Sequence, residues 1–140
     1  MTKDEIEAAE KARELGLPAT WEEIYEMAEF PVIDSSIAEL TSCLSTDRGV
    51  DIVEVRLSKE EAESHLAFLK LRVLRDIYRK DWKPDWNDKS VKYVIKVSAD
   101  SPIIYGDFCV RSFLSFPDEL TAYLFYMNFK DLIWKAKDLI

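Results

Sequence analysis

The sequence predicts an α+β fold: three to four helices packed on a small antiparallel β-sheet of two to four strands, in one domain spanning residues 1–140. Three observations lead there. Two helix-opening signatures, Thr20 with Glu23 and Ser58 with Glu61, each precede apolar residues at helical spacing. Between residues 92 and 105 the pattern changes to short β-rich runs separated by the turn signal Asp100-Ser101-Pro102. Hydrophobic residues make up 48% of the 140, with seven Phe, six Tyr and four Trp, enough for one core in a chain too short for two.

Taken in order, residues 1–31 form an acidic helical head. Residues 3–15 predict a first helix, with Ile6, Ala9 and Arg13 on one side and Glu7, Glu10 and Glu14 on another. Gly16 suits the left-handed position after its end, and Pro18 cannot continue it. The capping box of Thr20 and Glu23 opens a second helix carrying Trp21, Ile24, Tyr25 and Ala28, which Pro31 closes. Residues 32–57 read as irregular, with a short helix at 37–44 and an alternating strand at 51–57.

Residues 58–140 then supply a helix, a β-hairpin and a C-terminal helix. Ser58 and Glu61 open the longest helix, reaching about residue 79, with Ala62, Leu66, Leu69, Val73 and Ile77 as its core stripe. Arg72, Arg75, Arg79 and Lys83 form a second stripe on a neighbouring face. Residues 92–97 predict a strand, and residues 103–105 with 108–116 one or two more, Gly106-Asp107 being a turn signal between them. The segment Ser115-Phe116-Pro117-Asp118 starts a single last helix, whose apolar face Tyr123, Phe125, Tyr126 and Trp134 widen.

Charge is distributed unevenly. Residues 1–40 hold eleven acids against Lys3, Lys11 and Arg13, so the whole net charge of −8 lies there. Residues 70–96 hold nine bases against four aspartates. No apolar run approaches the ~18 residues of a membrane span, and the charged start does not resemble a secretory signal. Cys43 and Cys109 stand without CxxC spacing among apolar neighbours, which predicts buried thiols in a reducing compartment.

The chemistry is as uneven as the charge. With His65 as its single histidine, the chain has no multi-His zinc set, and a nucleophile–base arrangement would depend on that residue alone. Gly16, Gly49 and Gly106 are too scattered for a phosphate-cradling loop. Asp81, Asp85 and Asp88 lack the glycine and closing glutamate of a cation loop and predict turn-forming aspartates. No catalytic, cofactor or metal residue is therefore expected. The suggestive constellation is basic and aromatic: Arg72, Arg75, Tyr78, Arg79, Lys80, Trp82, Lys83, Trp86, Lys89, Lys92, Tyr93 and Lys96. Its plainest reading is that the basic stripe pairs with the acidic first helices of the same chain while Trp82 and Trp86 cover the core.

Several of these segments resemble one known group. Leu15-Gly16-Leu17-Pro18-Ala19-Thr20-Trp21-Glu22-Glu23, Leu74-Arg75-Asp76-Ile77-Tyr78-Arg79 with Trp82-Lys83-Pro84-Asp85-Trp86, Phe113-Leu114-Ser115-Phe116, and Asn128-Phe129-Lys130-Asp131-Leu132-Ile133 with Ala136-Lys137 are similar to small uncharacterised proteins encoded by phages, prophages and mobile elements of gut bacteria. The resemblance covers residues 10–30 and 58–140. It implies no activity or substrate, only a context: an accessory protein in the bacterial cytoplasm or in a virion.

The expected function is accordingly non-enzymatic, through binding of a protein partner or self-association into a homo-oligomer, without a membrane. The candidate surface is Arg72, Arg75, Arg79, Trp82, Lys83 and Trp86, together with Glu7, Glu10, Glu14, Glu22 and Glu26. Two alternatives use its halves separately. The acids, with Glu29, could mimic nucleic acid in a phage counter-defence inhibitor; residues 70–96 could bind nucleic acid directly.

Overall fold

The computed structural model describes residues 1–26, 58–98, 101–107 and 112–140. The remainder of the second helix to Pro31, the short helix at 37–44, the strand at 51–57, residues 108–111, Cys43, Cys109 and Glu29 lie outside the described residues. Within them the chain is α+β, with four α-helices and a three-stranded antiparallel sheet ordered β2-β1-β3.

Helix α1 runs Lys3–Glu14, its first turn capped by the Thr2 side chain, which accepts from Glu5 N at 3.2 Å. Its buried face is Ala8, Ala9 and Ala12, while Ile6 is exposed, so the inward side is built from small residues and not around Ile6. Small side chains let α1 lie close on a neighbour, and it packs on α3, Glu119–Asn128. Gly16 takes φ +75 after the helix end, the conformation that glycine adopts without a Cβ clash. The capping box at Thr20 and Glu23 forms in both directions, but the turn it opens is a 3-10 helix over Glu22–Glu26 as far as the described residues run.

Helix α2, Lys59–Arg79, begins on the predicted box: Ser58 Oγ accepts from Glu61 N at 3.1 Å and Glu61 returns to Ser58 N at 3.3 Å. The fully buried stripe is Ala67, Leu71, Leu74 and Tyr78; the predicted Ala62, Leu66, Leu69, Val73 and Ile77 are all half-buried, with Val73 and Ile77 packed against the core from its side. Two apolar stripes adjoin on this helix. Tyr78 decides between them: its buried hydroxyl donates to Pro18 O at 2.6 Å and accepts from Asn128 Nδ2 at 3.2 Å, joining the head, α2 and α3. Burial pushes that phenol well above its ordinary pKa.

Strand β1, Lys92–Ser98, pairs with β2, Ser101–Asp107, over its whole length, Ser98 opposite Ser101. Ser101-Pro102 and Gly106-Asp107, read from sequence as turns, are therefore strand residues. Pro102 is tolerated because β2 is a terminal strand of the described sheet. Gly106 sits opposite Tyr93, where an added Cβ would stand 2.8 Å from Val91 Cγ1. On the other side β1 pairs with β3, which is only Ser115–Phe116.

The last helix is also not what its start and continuity suggested. Ser115 and Phe116 belong to the sheet, and Asp118 is the cap itself, its carboxylate accepting from Thr121 N at 2.7 Å. The chain then breaks at Phe129 (φ −126) into α3 and α4, Lys130–Lys135. The break turns the Phe129 ring inward against Tyr78 and Phe125, at centroid distances of 5.6 and 5.1 Å. Around these rings lie Leu71, Leu74, Ile95, Leu114, Phe116 and Ile133, all essentially without solvent exposure.

Candidate functional site

Two arginines one turn apart on α2 meet the edge of the sheet. Arg79 Nε donates to Ser115 O at 2.8 Å, and Arg79 Nη2 to Ser115 Oγ at 2.6 Å and to Phe113 O at 3.3 Å. Arg75 Nη1 reaches the same Phe113 carbonyl at 3.3 Å, and its guanidinium lies 4.6 Å from the Phe113 ring centre. The geometry follows from two periodicities. Leu114 O accepts from Ile95 N of β1, so the carbonyls on either side of it face outward. Alternate strand carbonyls repeat every ~6.6 Å and residues four apart on a helix every ~6 Å, so one helical turn matches one strand repeat. The guanidiniums cap the short edge strand and leave those carbonyls paired.

This corrects the plainest sequence reading. Among the described residues the basic stripe does not pair with the acidic head: Arg75 holds Asp76 through Nη2 at 2.8 Å and Nε at 3.0 Å, and Arg79 bonds backbone and a hydroxyl. The acids of the head find other partners: Arg13 Nε meets Glu23 at 2.6 Å, and Lys130 of α4 reaches Glu5 at 3.4 Å. Glu7 and Glu14 pair within α1, with Lys3 and Lys11. Glu7, Glu10, Glu14, Glu22 and Glu26 are all exposed.

Past Arg79 the chain turns and borders an open cleft of about 480 Å³, lined by Arg75, Asp76, Arg79, Lys80, Trp82, Lys83 and Pro84. Four of the six basic-aromatic residues singled out from sequence thus share one concavity. Arg72 is exposed higher on α2, and Trp86 stands in the following loop. The lining sets four cations against one carboxylate, and Arg75 already engages that carboxylate. Arg79 has no carboxylate partner among the described residues. Burial, and secondly Arg75, lower its pKa to about 10, so it stays charged at neutral pH. Lys80 and Lys83 are exposed at the rim.

Both indoles are committed. Arg79 lies over the Trp82 ring at 5.5 Å, and Lys92 over the Trp86 ring at 5.5 Å. Sequence reasoning passed over Lys92 as a structural residue. Its side chain is 1% exposed, and its ammonium bonds Asp88 O at 3.2 Å and Asp88 Oδ1 at 3.0 Å. Asp88 also accepts from Ser90 N and Oγ, and these bonds, with Lys92, hold its carboxyl down to about 2. Asp85 accepts from Asn87 N at 2.9 Å in a second local turn. The loop that follows the cleft is therefore held by bonds that the Asp85 and Asp88 side chains accept. The signal for it in the sequence was Asp-x-Asn and Asp-x-Ser spacing.

Elsewhere the described residues offer less. His65 Nδ1 lies 2.7 Å from Glu61 O, one turn back on its own helix. A depression of about 440 Å³ between β2 and α3 is lined by Ile104, Glu119, Leu120 and Tyr123 and carries no cation. Among the described residues no group of His, Cys, Asp or Glu is arranged to hold a metal ion, and no helix is long and apolar enough to cross a membrane. Comparison of the chain with protein-family models, with curated proteins and with solved structures gives no match.

Proposed function

We propose that the protein is a non-enzymatic binding domain whose basic cleft at the end of α2 receives an acidic segment of a protein partner. The observation that carries this reading is the charge of the cleft: Arg79, Lys80 and Lys83 line it without a carboxylate partner among the described residues. A peptide carboxylate can bond the exposed ammoniums of Lys80 and Lys83 there, with the charge of the engaged arginines behind them. Reading the segment as a nucleic-acid module is less well supported. Base stacking needs open indole faces, and one face of each indole already carries a cation. The net charge of −8 also repels a polyanion at long range. The resemblance to mobile-element proteins supports an accessory role beside this binding.

The test is a titration of a fluorescein-labelled hexaglutamate peptide and, separately, of a labelled single-stranded oligothymidylate, each followed by anisotropy at low and at physiological salt. Expected is peptide binding that weakens with salt and is lost in Lys83→Glu, whose side chain is exposed and outside the core. Oligonucleotide binding with a silent peptide would overturn the proposal in favour of nucleic acid; silence from both would overturn it outright. The acidic head is itself an acidic segment, so light scattering accompanies the titration. A mass that rises with concentration and falls back in Lys83→Glu would support the cleft and name a second copy as occupant.

A further inference from the structure

Helix α2 ends on a conformation that its sequence does not favour. Trp82 N donates to Arg79 O at 3.0 Å, closing a turn over residues 79–82. Lys80, at the second position of that turn, has φ 57 and ψ −119. Those are the angles of the first central residue of a type II′ turn, a position that glycine fills because a Cβ is crowded there. Lys80 is the only non-glycine residue with positive φ among the described residues. An L residue held in this region costs folding free energy, and such positions gather where a side chain is wanted for another purpose.

The lysine side chain gives the fold nothing in return. It is exposed, and it makes no hydrogen bond, ion pair or ring contact with the described residues. What it does is line the cleft between Arg79 and Lys83. A cavity, a cluster of cations and a backbone outlier therefore coincide at one residue that the fold would sooner have as glycine.

We infer that Lys80 is the specificity-determining residue of the cleft, its strained turn holding the ammonium where it bonds a carboxylate of the incoming acidic segment. This rests on the reading of the cleft as an acidic-segment site. The backbone, fixed by the Arg79–Trp82 bond and by the sheet contacts of Arg79, sets the point on the cleft rim from which the ammonium reaches an incoming carboxylate.

Lys80→Gly is the informative change because it removes the ammonium while suiting the turn. Expected is a protein with a raised thermal midpoint that binds hexaglutamate about tenfold more weakly, the loss of one charge-assisted bond. Lys80→Ala loses the same affinity without the gain in midpoint, and Lys80→Arg retains binding. If Lys80→Gly binds the peptide like the unaltered protein while Lys83→Glu does not, this inference fails and the cleft reading stands. If the unaltered protein does not bind the peptide, the cleft reading fails and takes this inference with it. A lowered midpoint in Lys80→Gly would make the lysine structural and also overturn the inference.

Discussion

Helices α1 and α2 are each followed, within two residues, by a residue of positive φ, and the two sites are filled in opposite ways. After α1 stands Gly16 at φ +75, and an added Cβ there would meet nothing within 4 Å. After α2 stands Lys80 at φ 57. The flanking clamps are opposite too. Glu23 fastens the α1 end by accepting from Arg13 Nε and from the Ala19 and Thr20 amides, at 2.6, 2.6 and 2.7 Å. Arg79 fastens the α2 end by donating to Ser115 and Phe113. The first end is what stability alone selects: the residue with least strain, tied by local bonds. The second accepts strain and gathers like charge, and the basic cleft among the described residues lies there. Departure from the locally favourable choice is what distinguishes that end, and it is the ground on which binding is proposed there.

The largest effect that can break this comparison is loss of the α2 clamp. Arg79→Met keeps much of the stem volume and removes the fork, leaving the Ser115 and Phe113 carbonyls and a buried hydroxyl with fewer partners. Expected is a loss of about 3 kcal/mol in chemical denaturation, since a buried acceptor without its charged donor forfeits its desolvation cost. A loss below about 0.5 kcal/mol, within ordinary surface variation, would mean that the arginine is free for ligand and that the sheet edge does not depend on it.

The two positive-φ residues give a sharper comparison because their effects should differ in sign. Gly16→Ala should destabilise by about 1 kcal/mol despite the open space, for the cost lies in the backbone. Lys80→Gly should stabilise by about 1 kcal/mol, relief of strain exceeding the entropy that glycine adds to the unfolded chain. Thermal unfolding of the pair checks both. Two changes of the same sign would show that the ends are alike.

How much of this was open to the sequence differs between the same two ends. Gly16 and both capping boxes declare themselves through residue types at fixed offsets, because their bonds are local. At the end of α2, Arg75 and Arg79 find acceptors that are backbone carbonyls some 34 to 38 residues away, and carbonyls carry no residue identity to read. The stripe of α2 was misplaced for a related reason: Ala67, Leu71, Leu74 and Tyr78 adjoin an equally apolar row, and the distant Pro18 and Asn128 decide which turns inward. The break at Phe129 involves neither Gly nor Pro, only the ring's place against Tyr78 and Phe125. Of the cleft, the composition was legible and the concavity was not, since a one-dimensional pattern cannot show that 75, 79, 82 and 83 line one cleft together.

The smallest expected effect comes from pH, and it should reach the Glu23 clamp but not the Arg79 one. Burial raises the pKa of Glu23, but hydrogen bonds from Arg13 and from the Ala19 and Thr20 amides, with the Arg13 charge, outweigh it and hold the carboxyl below its ordinary 4.5. A carboxyl depressed in the folded state adds stability that is complete above the unfolded value and is lost as pH falls through the folded one. The α1 end should therefore loosen as the solution is acidified below about pH 4.5. Arg79, at about 10, stays charged over that whole range, so its sheet contacts hold. The Trp21 indole N–H, which donates to Tyr25 OH at 3.1 Å beside the Glu23 clamp, reports the α1 end by NMR; the Arg79 Nε–H, bonded to Ser115 O, reports the other. Expected is an acid-induced shift in the Trp21 signal ahead of any change at Arg79 Nε, with Glu23→Gln removing the pH dependence at Trp21. Simultaneous loss of both signals would mean that the two ends unfold as one unit and that the carboxylate clamp has no separate existence.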